Sequence, residues 1–140
     1  MGRILLTALL LLLAGCAQLP PTPEDIQAKK FVTLPDASVI YVVRSAMDSH
    51  EASGLVLDDQ AQITTLRGTY YRWEVAPGVH RVAGYAAANE SVTLTTAPGK
   101  IYFLEHTVNG TRRSGPQSTW LREIGEQDGR ALVMRSKLLQ

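Results

Sequence analysis

The chain has 140 residues, 45% of them hydrophobic, with 14 Lys and Arg against 13 Asp and Glu and a single Cys. That length suits one domain of ordinary size and leaves little room for two. The charge balance excludes the electrostatic footprint of a nucleic-acid binder, and one Cys excludes an intramolecular disulfide, so stability must come from packing.

The first sixteen residues, MGRILLTALLLLLAGC, are an address. Arg3 and the amine of Met1 form a cationic start, residues 4–13 an apolar run, and Ala14 and Gly15 the small residues a signal peptidase accepts. The run is too short to span a bilayer. The ending Leu13-Ala14-Gly15-Cys16 resembles the lipobox of bacterial prolipoproteins, which implies that the Cys16 thiol receives a diacylglyceryl group, that cleavage precedes it, and that the new amine is acylated. The competing reading is a plain secretory signal cut after Ala17; the Cys at the end of the apolar run, the only one in the chain, favours the lipobox. Loss of Arg3 balances the mature chain's charges, which argues against a polybasic patch assisting the lipid. Attachment then rests on acyl chains, at roughly 0.8 kcal/mol per buried methylene. Ala17, in place of Asp, matches the sorting pattern of lipoproteins sent to the outer membrane of diderm bacteria, facing the periplasm.

Residues 17–30 (AQLPPTPEDIQAKK) hold three prolines and several charges and read as an extended tether. Within it, Thr22 followed by Pro23, Glu24 and Asp25 has the pattern of a short capped helix, the alternative to extended chain.

From residue 31 the apolar positions recur with a period of two, divided by turn residues every eight to twelve positions. Residues 37–44 (ASVIYVVR) are apolar on both faces and predict a central strand buried on both sides. Residues 54–57 and 62–66 flank Asp58-Asp59-Gln60-Ala61 and predict a hairpin, the Asp pair making a turn rather than a Ca²⁺ loop. Residues 69–75 (TYYRWEV) and 79–86, joined by Ala76-Pro77-Gly78, predict a second hairpin around a type II turn with Gly78 at positive φ. Alternation puts Tyr71, Trp73 and Val75 on the core face and Tyr70, Arg72 and Glu74 opposite. Residues 91–95 predict a strand, Ala97-Pro98-Gly99-Lys100 repeats the Pro-Gly turn, and residues 101–108 (IYFLEHTV) predict a strand ended by Asn109-Gly110. Residues 111–118 read as an exposed loop before a last strand over 119–124. Past Gly129, RALVMRSKLL fits a terminal helix or a closing strand, and its good helix formers favour helix.

The order VIYVVR, GTYYRWEVAPGVHRV, TTAPGKIYFLE resembles short bacterial lipoproteins that carry a β-sandwich domain of unknown function, over roughly residues 33–129. The Pro77-Gly78-x-His80 turn is also similar to that of surface-layer modules named after a Pro-Glu-Gly-Ala motif. Neither resemblance implies an enzymatic activity.

His50, His80 and His106 fall on separate elements without ligand spacing, so no metal and no cofactor is implied. His80 is expected to bond to turn backbone and His106 to flank the core. No Gly-x-Ser-x-Gly elbow occurs, Ser114 reads as a loop residue, and carboxylate pairs such as Glu105 with Glu123 could act as acid and base on a sugar only at a separation that the structure must give. Two Asn-x-Ser/Thr sequences, at Asn89 and Asn109, read as turns. The aromatic set Tyr70, Tyr71, Trp73, Tyr85, Tyr102 and Trp120 is the better hint, as exposed aromatics mark binding surfaces. Trp73 and Tyr102 are expected in the core, while Tyr70, Arg72 and Trp120 form the candidate binding surface.

The sequence therefore predicts a mostly β chain in three parts: a signal over 1–15, lipidated Cys16 with its Pro-rich tether over 16–30, and a single antiparallel β-sandwich with a short C-terminal helix over 31–140. The expected function is a noncatalytic envelope module, held in the bilayer by acylated Cys16, that binds a protein partner or a cell-wall component. An envelope hydrolase acting on polysaccharide or peptidoglycan is the alternative.

Overall fold

In a computed structural model of the protein the described residues are 20–84, 91–111, 113 and 118–139. They form a β-sandwich whose outer face on one side carries two helices. The elements are α1 (Pro23–Ala28), β1 (Ser38–Arg44), β2 (Ser53–Leu57), β3 (Ala61–Thr65), β4 (Thr69–Val75), β5 (Gly78–Gly84), β6 (Ser91–Thr96), β7 (Ile101–Asn109), β8 (Ser118–Ile124), α2 (Glu126–Met134) and β9 (Lys137–Leu138). One sheet has the order β8-β7-β1-β4-β9 and the other β3-β2-β5-β6. Pairing is antiparallel except for β1 with β7 and β4 with β9, which run parallel.

Every residue of β1 is buried, as its two apolar faces predict. Ile40 and Val42 point between the sheets, where they meet Leu104 and Leu121 and, from the second sheet, Leu55, Leu57, Val82 and Leu94. Val39, Tyr41 and Val43 point outward into a second core with Tyr70 and Phe103, roofed by Ala28, Phe31 and Val133. Four aromatic rings stack and tilt there: Tyr41 lies 5.3 Å from Phe103, 5.4 Å from Phe31 and 5.9 Å from Tyr70. A strand so apolar on both faces needs two covers, and the helices are the second.

Part of the expected tether is folded. Residues 23–28 form α1, capped by the Thr22 hydroxyl accepting from the Asp25 N–H at 3.2 Å, and Asp25 and Ala28 are buried. The prolines do not prevent this, because Pro23 stands in the first turn, where a missing N–H costs nothing. The C-terminus is both helix and strand: α2 begins before Gly129 rather than after it, and β9 follows. Gly129 lets α2 lie directly on Phe103, for a Cβ there would overlap the ring.

The expected hairpin of residues 69–75 with 79–86 does not form. β4 pairs with β1, and β5 pairs with β2 and β6 in the other sheet. Ala76 and Pro77 therefore turn a corner between sheets, and so does the Ala97-Pro98-Gly99-Lys100 segment between β6 and β7. A Pro-Gly pair sets local backbone angles and not the strand's partner, which is decided by the buried face of β1. Gly78 has φ +154°, far from the value near +80° that a type II turn requires, whereas Gly99 has φ +70° and donates to the carbonyls of Ala37 and Leu34. The predicted β2–β3 hairpin forms, with Asp58 and Asp59 both at positive φ in the manner of a type I′ turn.

Candidate binding groove at a free sheet edge

β9 covers only the first two residues of β4, pairing Thr69 with Lys137 and Tyr70 with Leu138. The Tyr70 carbonyl accepts from the Leu139 N–H at 2.8 Å. Since backbone groups of alternate residues point to the same side of a strand, Arg72 and Glu74 present theirs to this same edge, where no described strand meets them. Such a row of unpaired donors and acceptors is a template for another strand.

A groove of about 630 Å³ runs along this edge. Its far wall is Gln27 and Ala28 of α1 with Val32 and Leu34 after it; its near wall is Tyr71, Arg72 and Glu74; Leu138 and Leu139 close one end. On the rim the Arg72 guanidinium pairs with the Glu74 carboxylate.

The wall is held by Asp25. Its Oδ1 accepts from the Tyr70 hydroxyl at 2.8 Å and the Leu138 N–H at 3.0 Å, and its Oδ2 from Lys29 Nζ at 2.8 Å. Lys29 also donates to the Ser136 carbonyl at 2.7 Å. Burial alone would raise the Asp25 pKa, but the Lys29 ammonium and the Tyr70 and Leu138 donors outweigh it and hold the carboxyl below its ordinary value. Burial and the Asp25 carboxylate push the Tyr70 phenol up. Asp25 thus clasps α1, β4 and β9 together and fixes the groove's width.

The residues expected to form one binding surface separate. Tyr70 is fully buried beneath α1 and belongs to no surface; the helix that covers it lies in the supposed tether. Arg72 lines the groove. Trp120 is 40% exposed on β8, at the opposite edge of the same sheet. Trp73 and Tyr102 pack against the inter-sheet core. Tyr85, Asn89, Ser114 and Cys16 lie outside the described residues. The α1 wall was missed because its composition resembles a linker; Thr22-Pro23-Glu24-Asp25, a cap with acidic residues in the first turn, was the available signal.

Other polar sites are occupied by the fold itself. His80 meets the Ala76 carbonyl with Nε2 and the Asp58 carboxylate with Nδ1, each at 2.7 Å. Burial lowers its pKa, but Asp58 and the carbonyl prevail and raise it. Arg44, 1% exposed, bonds to Asp48 at 2.8 Å, to the Thr65 carbonyl at 3.1 Å and to the Ser49 carbonyl at 2.7 Å, closing one end of the sandwich. His106 lies fully buried beside this cluster. Register puts Glu105 beside Arg122 and Glu123 beside Leu104, so the two carboxylates point to opposite faces, and Glu105 is bonded to Arg122 at 2.8 Å. Among the described residues no group of three or more His, Cys, Asp or Glu could hold a metal ion, and no helix is long and apolar enough to cross a membrane.

No family model, curated protein or solved structure matches the chain.

Proposed function

We propose that this chain is a lipid-anchored, noncatalytic module of a bacterial envelope, attached through Cys16 on the periplasmic side of the outer membrane, that holds an extended segment of a protein partner along the free edge of β4. The open edge over an apolar-walled groove carries the reading. A strand entering there continues the direction of β9, takes its main-chain bonds from Arg72 and Glu74, and sets alternate side chains against Ala28, Val32 and Leu34. Main-chain bonds supply affinity while the wall selects small apolar side chains.

The test places a photo-crosslinking residue at Val32, in the groove, and at Trp120, on the opposite edge of the sheet, in the lipidated protein within its envelope. The same is done in Glu74→Pro, which removes one edge N–H without touching the bonds to β1. A crosslinked protein seen at Val32, absent at Trp120 and lost in Glu74→Pro supports strand addition. Equal crosslinking at both positions, or no effect of Glu74→Pro, overturns it. An unmodified Cys16 thiol in the mature protein, read from the intact mass of its N-terminal peptide, overturns the anchor.

A further inference from the structure

Pro20, the first described residue, lies beside a second groove of about 390 Å³ on the other side of α1. Pro20, Pro21, Lys29, Met134, Arg135 and Lys137 line it. Lys29 is committed to Asp25, but Arg135 and Lys137 are exposed and, among the described residues, paired with no carboxylate. Between them and the prolines Met134 is 56% exposed. Two free cations around an exposed flexible apolar side chain, close in sequence to Cys16 through Pro20, suit a surface carrying phosphates above hydrocarbon.

The sequence separation of Cys16 from Pro20 limits how far away that surface can be. Three residues, 17–19, separate Cys16 from Pro20. At roughly 3.5 Å per residue, a fully extended connection reaches only about 14 Å. An acylated Cys16 therefore holds Pro20 within about two Debye lengths of the headgroups, and any shorter path brings charges on the fold into their range.

We propose that the face around Pro20 rests on the bilayer, Arg135 and Lys137 against the phosphates of anionic lipids and Met134 at headgroup level. This rests on the lipid anchor proposed above. The overall charge balance is unaffected, because these cations orient the domain and the acyl chains hold it. Lys100 serves as an internal reference: it precedes β7 beside the start of β1, whereas β9 lies beside the start of β4, opposite the end of β1, so the two lysines stand at opposite ends of the sheet.

The experiment reconstitutes the mature lipidated protein on vesicles of phosphatidylcholine alone or mixed with phosphatidylglycerol. The lysine amines are acylated briefly and read by mass spectrometry. On the anionic vesicles Lys137 should react roughly ten-fold more slowly relative to Lys100 than on the neutral ones, and high salt or Arg135→Glu should remove most of that protection. If Lys137 and Lys100 keep the same ratio on both vesicles while the N-terminal peptide carries its lipid, the orientation is wrong and the anchor stands. If the peptide carries no lipid, the anchor itself has failed.

Discussion

His106 offers the sharpest test of the packing inside the sandwich. The Thr65 hydroxyl donates to the Ser53 carbonyl at 3.1 Å, so at its 2.9 Å contact with His106 it must accept, which places the imidazole proton on Nδ1. Nε2 then faces a fully buried site without a partner among the described residues. Burial, reinforced by repulsion from Arg44, lowers the pKa to about 4 from an ordinary 6.5. As the pH falls below about 6.5 the unfolded chain takes up a proton that the folded chain refuses, so stability is lost progressively until about pH 4 and levels off below. A separation of about two and a half pH units corresponds to about 3 kcal/mol. His106→Gln cannot titrate and should lose none of it. Other groups also act: His80, with its raised pKa, contributes stability that is present in acid and lost as pH rises through its folded value. Those contributions cancel when the two proteins are subtracted. Urea unfolding of the mature chain carrying Cys16→Ser, with and without His106→Gln, gives the difference from about pH 7 to about pH 4. It should shrink by about 3 kcal/mol in favour of the variant. A flat difference, or an NMR titration of His106 near 6.5, would refute the neutral buried imidazole and the position of Arg44 beside it.

Asp25→Ala should cost about 3 kcal/mol, because it removes the carboxylate that pairs with Lys29 and accepts from the buried Tyr70 hydroxyl and the Leu138 N–H, and removal of residues 20–29 should cost at least as much; thermal melts that ignore either change would show that α1 is not part of the fold. Gly129→Ala should destabilise by about 2 kcal/mol despite the better helix propensity of Ala, since its methyl overlaps Phe103, and Phe103→Leu should recover part of that loss in a double-mutant cycle. Additive effects would mean that α2 does not press on that ring.

What could be read in advance was local or periodic. The two apolar faces of β1 declared a central strand, and alternation placed Tyr71, Trp73 and Val75 on the inter-sheet side. Which strands pair was hidden, because Pro77-Gly78 specifies a bend and leaves β4 free to choose β1 over β5. The cover over Tyr41 and Tyr70 was hidden too: Asp25 is charged and sits among prolines, and only its three donors make its burial tolerable. The groove inherits both gaps, since one wall is the misread helix and the other is an edge defined by where β9 stops.

The clasp at Asp25 also has a temporal meaning. The bond from Leu138 N–H to Asp25 spans 113 positions in the chain, and β1 must find β7 in parallel across most of the domain. Neither contact can be made by a nascent N-terminal portion alone, and closing such long loops is slow compared with forming a hairpin. During synthesis the outer core therefore stays open until the last few residues arrive. Under the export that the proposed function entails, a structure that cannot lock before its end is present is a built-in delay.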